Sequence, residues 1–251
     1  MKPVVFIAGG AGGIGSATAE RFLAGEWTVV LCDRDAARLA DVSTRLNVAS
    51  AITADLCTKS ECTRAVQRAV AEHGRLNMLV NAAGIWREGP VDQTSEDDFA
   101  LVMDVNVKAT YFLCAAAIPH LRTTKGAIVN LSSDAGLQGN TGAALYCASK
   151  GAVAIFSKAL ALDLAPDGVR VNAICPGDVM SPMLEFQAKT YGDPTPESYL
   201  AKLLAGYPQG KTARFIQPRE IAEFIWFLAQ PEAAAITGAC LSIDFGLTAG
   251  K

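Results

Sequence analysis

Apolar residues in this chain fall into short runs separated by longer stretches of helical spacing. Residues 3–8 (PVVFIA), 27–32 (WTVVLC), 50–54, 76–80, 127–131 (AIVNL), 169–174 (VRVNAI) and 239–243 (ACLSI) read as strands. The first run is continuous and bounded by glycine, the pattern of a strand covered on both faces. Helices are predicted from the first glycines to about Ala24, over 35–47, up to about His73, from a Thr94/Ser95 cap to about His120, and over 145–165 and 218–229. Strands alternating with helices throughout predict an α/β fold built on a doubly wound, mainly parallel sheet of about seven strands, with helices on both faces. No linker, short repeat or low-complexity tract divides it, so 1–251 reads as one domain. The rhythm breaks only over 182–215, where prolines, glycines and aromatics interrupt helix-like pieces. An insertion of that length predicts a substrate lid.

Composition narrows the class. Of 251 residues, 51% are apolar and 19% charged, enough for a core and no case for disorder. A net charge of −3 makes no field that would attract nucleic acid. No uninterrupted apolar run reaches the ~18 residues of a membrane span. The opening MKPVVFIAGG enters a strand directly and lacks a long apolar stretch with a cleavage site, so a cytoplasmic location is the default expectation. Seven widely spaced cysteines without a C-x-x-C pair read as buried reduced thiols. With only His73 and His120, no metal site and no histidine triad is expected.

The first strand runs into Gly9-Gly10-Ala11-Gly12-Gly13-Ile14-Gly15 and then a helix. Glycines there allow a sharp turn and let a phosphate approach the first helix amides, where the helix dipole also favours an anion. The second strand ends at Asp33, eighteen residues past Gly15. That spacing places an acid on the adenosine ribose hydroxyls of a bound dinucleotide. Arg34 and Arg38 could receive a ribose phosphate instead, but the glycine turn carries no basic residue. NAD is therefore expected over NADP.

Tyr146 and Lys150 stand four apart in a helical, Ala-rich segment, and such positions stack on one helix face. Ser133, thirteen residues upstream of Tyr146, follows the strand 127–131. A hydroxyl, a phenol and a cation at one strand end suit proton transfer to or from an oxygen. A free tyrosine has a pKa of ~10, and bringing it near 7 takes roughly 3–4 kcal/mol. One cation ~4 Å away at an effective dielectric of ~20 supplies about 4 kcal/mol. Lys150 is thus sufficient in principle.

Together these segments resemble the short-chain dehydrogenase/reductase family in its short form. The pattern Gly9-x-x-x-Gly13-x-Gly15, the turn Asn81-Ala82-Ala83-Gly84, then Asn106, Ser133, Tyr146-x-x-x-Lys150 and Asn172-x-x-x-Pro176-Gly177 occur in family order. The resemblance implies a Rossmann-type sheet, a nicotinamide cofactor and hydride exchange between a secondary alcohol and a ketone. Tyr146 would be the acid/base, Ser133 the holder of the substrate oxygen, Lys150 the ribose-binding cation, and Asn106 the support of a water relay behind it. Gly9, Gly13, Ile14, Gly15, Asp33 and Arg34 would bind the adenosine half of the cofactor. Asp55 and Leu56 would line the adenine. Asn81, Ala82, Gly84, Pro176 and Gly177 would border the cofactor, with Val179 and Ser181 at the nicotinamide amide. Trp86, Gln138, Met183 and Phe186 are the candidate substrate contacts. Departures are Ala8 for a frequent threonine, Ala82 for asparagine, Ser181 for threonine, and Asp244-Phe245-Gly246 for Asp-Gly-Gly. The family pairing of subunits implies a homotetramer.

Two other readings use the same residues. A non-catalytic dinucleotide-binding sensor of this fold would have no need of Tyr146 and Lys150, and both are present. A serine hydrolase built on Cys147-Ala-Ser149-Lys-Gly151 lacks the first glycine of a nucleophile elbow and the strand before it.

Overall fold

The computed structural model describes residues 1–250. Seven strands, β1 (Val4–Ala8), β2 (Thr28–Asp33), β3 (Ser50–Thr53), β4 (Met78–Asn81), β5 (Ala127–Leu131), β6 (Arg170–Pro176) and β7 (Cys240–Ile243), form one sheet. Their order is β3-β2-β1-β4-β5-β6-β7, and every neighbouring pair is parallel. The chain first winds outward from β1, then returns to β4 on its other side. That switch point leaves a crevice at the carboxyl ends of β1 and β4, the place where open α/β sheets bind ligands.

β1 shows why the sheet needs two helical layers. All five of its residues are buried. Side chains alternate across a strand, so Val4, Phe6 and Ala8 enter one core while Val5 and Ile7 enter the other. The first core is closed by α3 (Lys59–His73), α5 (Ala109–Thr124) and α6 (Ala144–Leu164), through Val66, Leu113 and Leu160 among others. The second is closed by α1 (Gly13–Ala24), α2 (Ala36–Leu46) and α9 (Pro218–Ala229), through Phe22, Leu39 and Ile225. Full burial of a side chain such as Phe6 or Ile7 contributes about 1.5–3 kcal/mol.

Three elements differ from expectation. The helix predicted to start at the Thr94/Ser95 cap runs as α4 (Glu96–Met103), one π-helical turn over Asp104–Lys108, then α5. A π-turn of five residues is too short for periodicity to reveal, and Asn106 lies within it. The stretch 182–215 is more regular than read, forming α7 (Pro182–Tyr191) and α8 (Pro196–Ala205). Ser181 and Thr195 cap these two helices and a proline follows each cap, signals that outweigh weak periodicity in helices of ten residues. Finally, the runs Glu96–Thr124 and Ala144–Asp167 are long and apolar enough to cross a membrane, at mean hydropathy 1.5 and 1.3. Neither shows an apolar run of that length in sequence, because residues such as Asp104, Lys108, Lys150 and Lys158 interrupt them. In the fold, one face of each lies against the sheet.

Candidate active site

The carboxyl ends of β1, β2, β4, β5 and β6, roofed by α7 and α8, enclose a cleft of about 960 Å3. The glycine turn forms one end. Gly9 takes a left-handed φ of 75°, and a Cβ on Gly15 would lie 2.1 Å from the Gly9 carbonyl oxygen. Neither position admits a side chain. Gly12 is the N-cap of α1 and offers no side chain to its first amides. Those amides have no acceptor within the helix and border the cleft, a cradle suited to a pyrophosphate. Asp33 lines the same end, its Oδ2 accepting from the Ala11 N–H at 3.0 Å and its Oδ1 from the Asp35 N–H at 3.1 Å. Each oxygen keeps a lone pair. The N-cap of α2 is Asp35, not Asp33, so Asp33 remains available to a ligand. The residues present fit a dinucleotide.

At the other end α6 presents Tyr146 and Lys150 one turn apart, both buried. The Trp86 ring packs against Tyr146, tilted by 51°, with centroids 4.3 Å apart. Lys150 Nζ donates to the Leu131 carbonyl at 2.8 Å, where β5 ends. Gly84 lets the loop after β4 lie against this lysine: a Cβ there would sit 3.3 Å from Nζ. Ser133 Oγ donates to Asp134 Oδ1 at 2.6 Å and accepts from the Ala135 N–H. Burial, and after it the Asp134 carboxylate, push the Tyr146 phenol above its ordinary pKa, with the nearby Ser133 hydroxyl acting the other way. Burial lowers Lys150 to about 8. This departs from the argument made on the sequence, where the lysine alone lowered the phenol. The protein's interior opposes charge on both groups, and the ammonium is turned onto a carbonyl.

Most expected residues meet in this cleft. Gly9, Gly13, Ile14, Gly15, Asp33, Arg34, Asp55, Leu56, Ala82, Gly84, Pro176, Gly177, Val179 and Ser181 line it, as do Trp86, Gln138, Met183 and Phe186. Two do not. Asn81 is turned into the core, where its Nδ2 donates to Asn130 Oδ1 at 2.8 Å, because strand alternation gives its side chain to the α5–α6 layer. Asn106 is buried behind the cleft wall. Its Oδ1 accepts from the Ile85 N–H and its Nδ2 donates to the Ile85 carbonyl and to Ser149 Oγ at 3.0 Å. It ties the loop after β4 to the helix turn between Tyr146 and Lys150.

The sequence reading passed over Glu88, Asp134, Asp178 and Gln187 and took Tyr199 only as an aromatic of the expected lid; all five line the cleft. Glu88 Oε2 accepts from Trp86 Nε1 at 3.0 Å and from Tyr199 Oη at 2.9 Å, joining the loop after β4 to α8. Asp134 and Asp178 each adjoin a residue that had been singled out, Ser133 and Gly177. Adjacency was the available signal, but it does not say which way a side chain faces. Among the described residues no cluster of His, Cys, Asp and Glu could hold a metal ion.

The adh_short_C2 family model, described as enoyl-(acyl carrier protein) reductase, matches residues 9–248. The meso-2,3-butanediol dehydrogenase of Serratia marcescens is 37% identical over 248 residues, covering 98% of this chain and 94% of that protein. A 3-ketoacyl-(acyl-carrier-protein) reductase from Brucella melitensis, solved with NADH, superposes with a TM-score of 0.87 at 29% identity, covering 98% of both chains. An actinorhodin polyketide ketoreductase with NADPH gives 0.91 at 30% identity, over 98% of this chain and 97% of that one. Matched in sequence and in fold over nearly its whole length, the chain belongs to the short-chain dehydrogenase/reductase family of oxidoreductases.

Proposed function

We propose that the protein interconverts a secondary alcohol and a ketone by hydride transfer with NAD(H), with Tyr146 as acid and base. One observation carries this reading: a single cleft has the glycine cradle and Asp33 at one end and Ser133, Tyr146 and Lys150 at the other. The relatives named above, a diol dehydrogenase and two ketone reductases, act on such groups by their names. When bound, the nicotinamide dinucleotide supplies the hydride acceptor or donor and, in its oxidised form, a positive charge. In oxidation the Tyr146 oxygen takes the substrate hydroxyl proton, and in reduction it returns a proton to the carbonyl oxygen. Ser133 holds that oxygen. Lys150 reaches the nicotinamide ribose and, with its charge, favours the phenolate. Burial and Asp134 oppose the phenolate, and the charge of Lys150 acts against them. Asn106 acts as a positioning residue, through Ser149 and Ile85.

Trp86, Gln138, Met183 and Phe186 border the space left for substrate, under a lid at 182–215. NAD is favoured over NADP because Asp33 repels a ribose phosphate of charge roughly −1.5 to −2. The protein is read as one domain, cytoplasmic, with no nucleic-acid or membrane partner. The exposed Tyr111 on α5 and Ile155 and Leu162 on α6, at 51%, 65% and 78%, support assembly into a homotetramer through those helices. The test is a panel of secondary alcohols and ketones followed by the absorbance of reduced nicotinamide. Turnover with NAD(H) that Tyr146→Phe abolishes supports the reading, and no change with any alcohol or ketone overturns it.

A further inference from the structure

We infer that the substrate carries a second hydroxyl beside the reacting carbinol, held by Asp178 and Gln187, so that the protein acts on diols and hydroxyketones rather than isolated alcohols, amines or acyl anions. This rests on the alcohol–ketone reading above. Asp178 follows Pro176-Gly177 at the end of β6, one strand from the β5 end that carries Ser133 and Asp134. Tyr207, itself buried, fixes it twice, with Oη accepting from the Asp178 N–H at 2.7 Å and donating to Oδ2 at 3.1 Å. Among the described residues Oδ1 has no partner, and the residue lines the cleft.

The surroundings define what Oδ1 can meet. Asp134 is already engaged at both oxygens, by Ser133 and by Asn140 Nδ2 at 3.0 Å. Neither aspartate takes part in an ion pair among the described residues. Burial, then Asp134, raise Asp178 to about 6, which still leaves a carboxylate at neutral pH. A substrate anion is repelled there, and an alkyl group leaves a partly desolvated carboxylate oxygen without a donor, which is costly. Gln187, only 7% exposed, faces the same cleft. Its Oε1 lies 3.4 Å from Tyr199 Oη, whose single hydrogen goes to Glu88 at 2.9 Å, and its Nε2 has no acceptor among the described residues. Asp178 lines the cleft at the end of β6, beside the β5 end that leads to Ser133, and Gln187 lines the same cleft from α7. The subsite thus offers one acceptor and one donor. A hydroxyl satisfies both, whereas an ammonium only donates.

The test measures kcat/KM of the wild-type protein with NAD+ for 2,3-butanediol, 2-butanol, 3-amino-2-butanol and 3-hydroxybutyrate. The diol is expected to exceed 2-butanol by about ten- to a hundredfold, as for a hydrogen bond to a charged group, mainly through KM. The amine and the carboxylate should both fall below the diol. Asp178→Asn and Gln187→Leu should each narrow the diol-to-2-butanol ratio about tenfold. If either variant fails to fold, the wild-type ranking decides alone. Equal use of 2-butanol and the diol overturns the subsite and leaves the reaction class standing. Preference for the amine overturns the hydroxyl assignment. Oxidation of none of the four, with no ketone reduced, overturns both.

Discussion

The Lys150 ammonium stands 5.7 Å from the centre of the Tyr146 ring and donates to the Leu131 carbonyl rather than to the phenol. The two groups proposed for catalysis are therefore near but not bonded, and each is buried in surroundings that oppose its charge. Tyr146→Phe removes only the oxygen that would exchange the proton. The expected outcome is a loss of about 10²- to 10⁴-fold in kcat, with cofactor affinity nearly unchanged by fluorescence titration. Lys150→Ala should lower both.

Lys150 also makes stability depend on pH. Burial lowers its folded-state pKa to about 8, while the unfolded chain holds its proton to ~10.4. Between those values the unfolded state binds more protons, so this group's contribution to stability rises with pH. Tyr146 acts oppositely: its raised folded-state pKa makes stability fall once the unfolded phenol ionises above ~10. Denaturant titration from pH 8 to 10 should show a rising contribution that Lys150→Met lacks.

Asp33 decides the cofactor prediction. The native protein should prefer NAD(H), and Asp33→Ala should narrow its ratio of kcat/KM for NAD+ to that for NADP+. Arg34 and Arg38, which border the same end of the cleft, are then free to receive the phosphate. Equal or better use of NADP(H) by the unmodified protein would refute this.

Ile155 and Leu162 are seven residues apart on α6 and share one exposed face. Light scattering should give an assembly of four 26.3 kDa chains, and Leu162→Glu should shift it toward smaller species. A monomer mass at micromolar concentration counts against assembly through this face.

The Glu88–Tyr199 hydrogen bond joins the loop after β4 to α8, in the segment proposed as a lid. Tyr199→Phe removes one hydrogen bond to a carboxylate, worth about 1.5–3 kcal/mol. Hydrogen exchange over α7 and α8 should be faster in this variant, and in the native protein slower when cofactor and substrate are bound. Equal protection with and without ligands would make the hairpin scaffold.

The sequence by itself determined the layered sheet, the glycine turn and the Tyr146/Lys150 pair. These rest on local signals: apolar runs, glycines between a strand and a helix, and a fixed i,i+4 spacing on one helix. Tertiary structure decided where side chains face once strands and loops are packed. Asn81 and Ala82 are neighbours in sequence, yet one enters the core and the other the cleft, because β4 ends between them. The side-chain partners of Asn106, Ile85 and Ser149, likewise follow from the π-turn that holds it and not from its neighbours in sequence. Asp134 and Asp178, forty-four positions apart, come together only because β5 and β6 pair in parallel and end side by side. Burial, a property of the whole fold, then moves the pKa of Lys150 down and those of Tyr146 and Asp178 up.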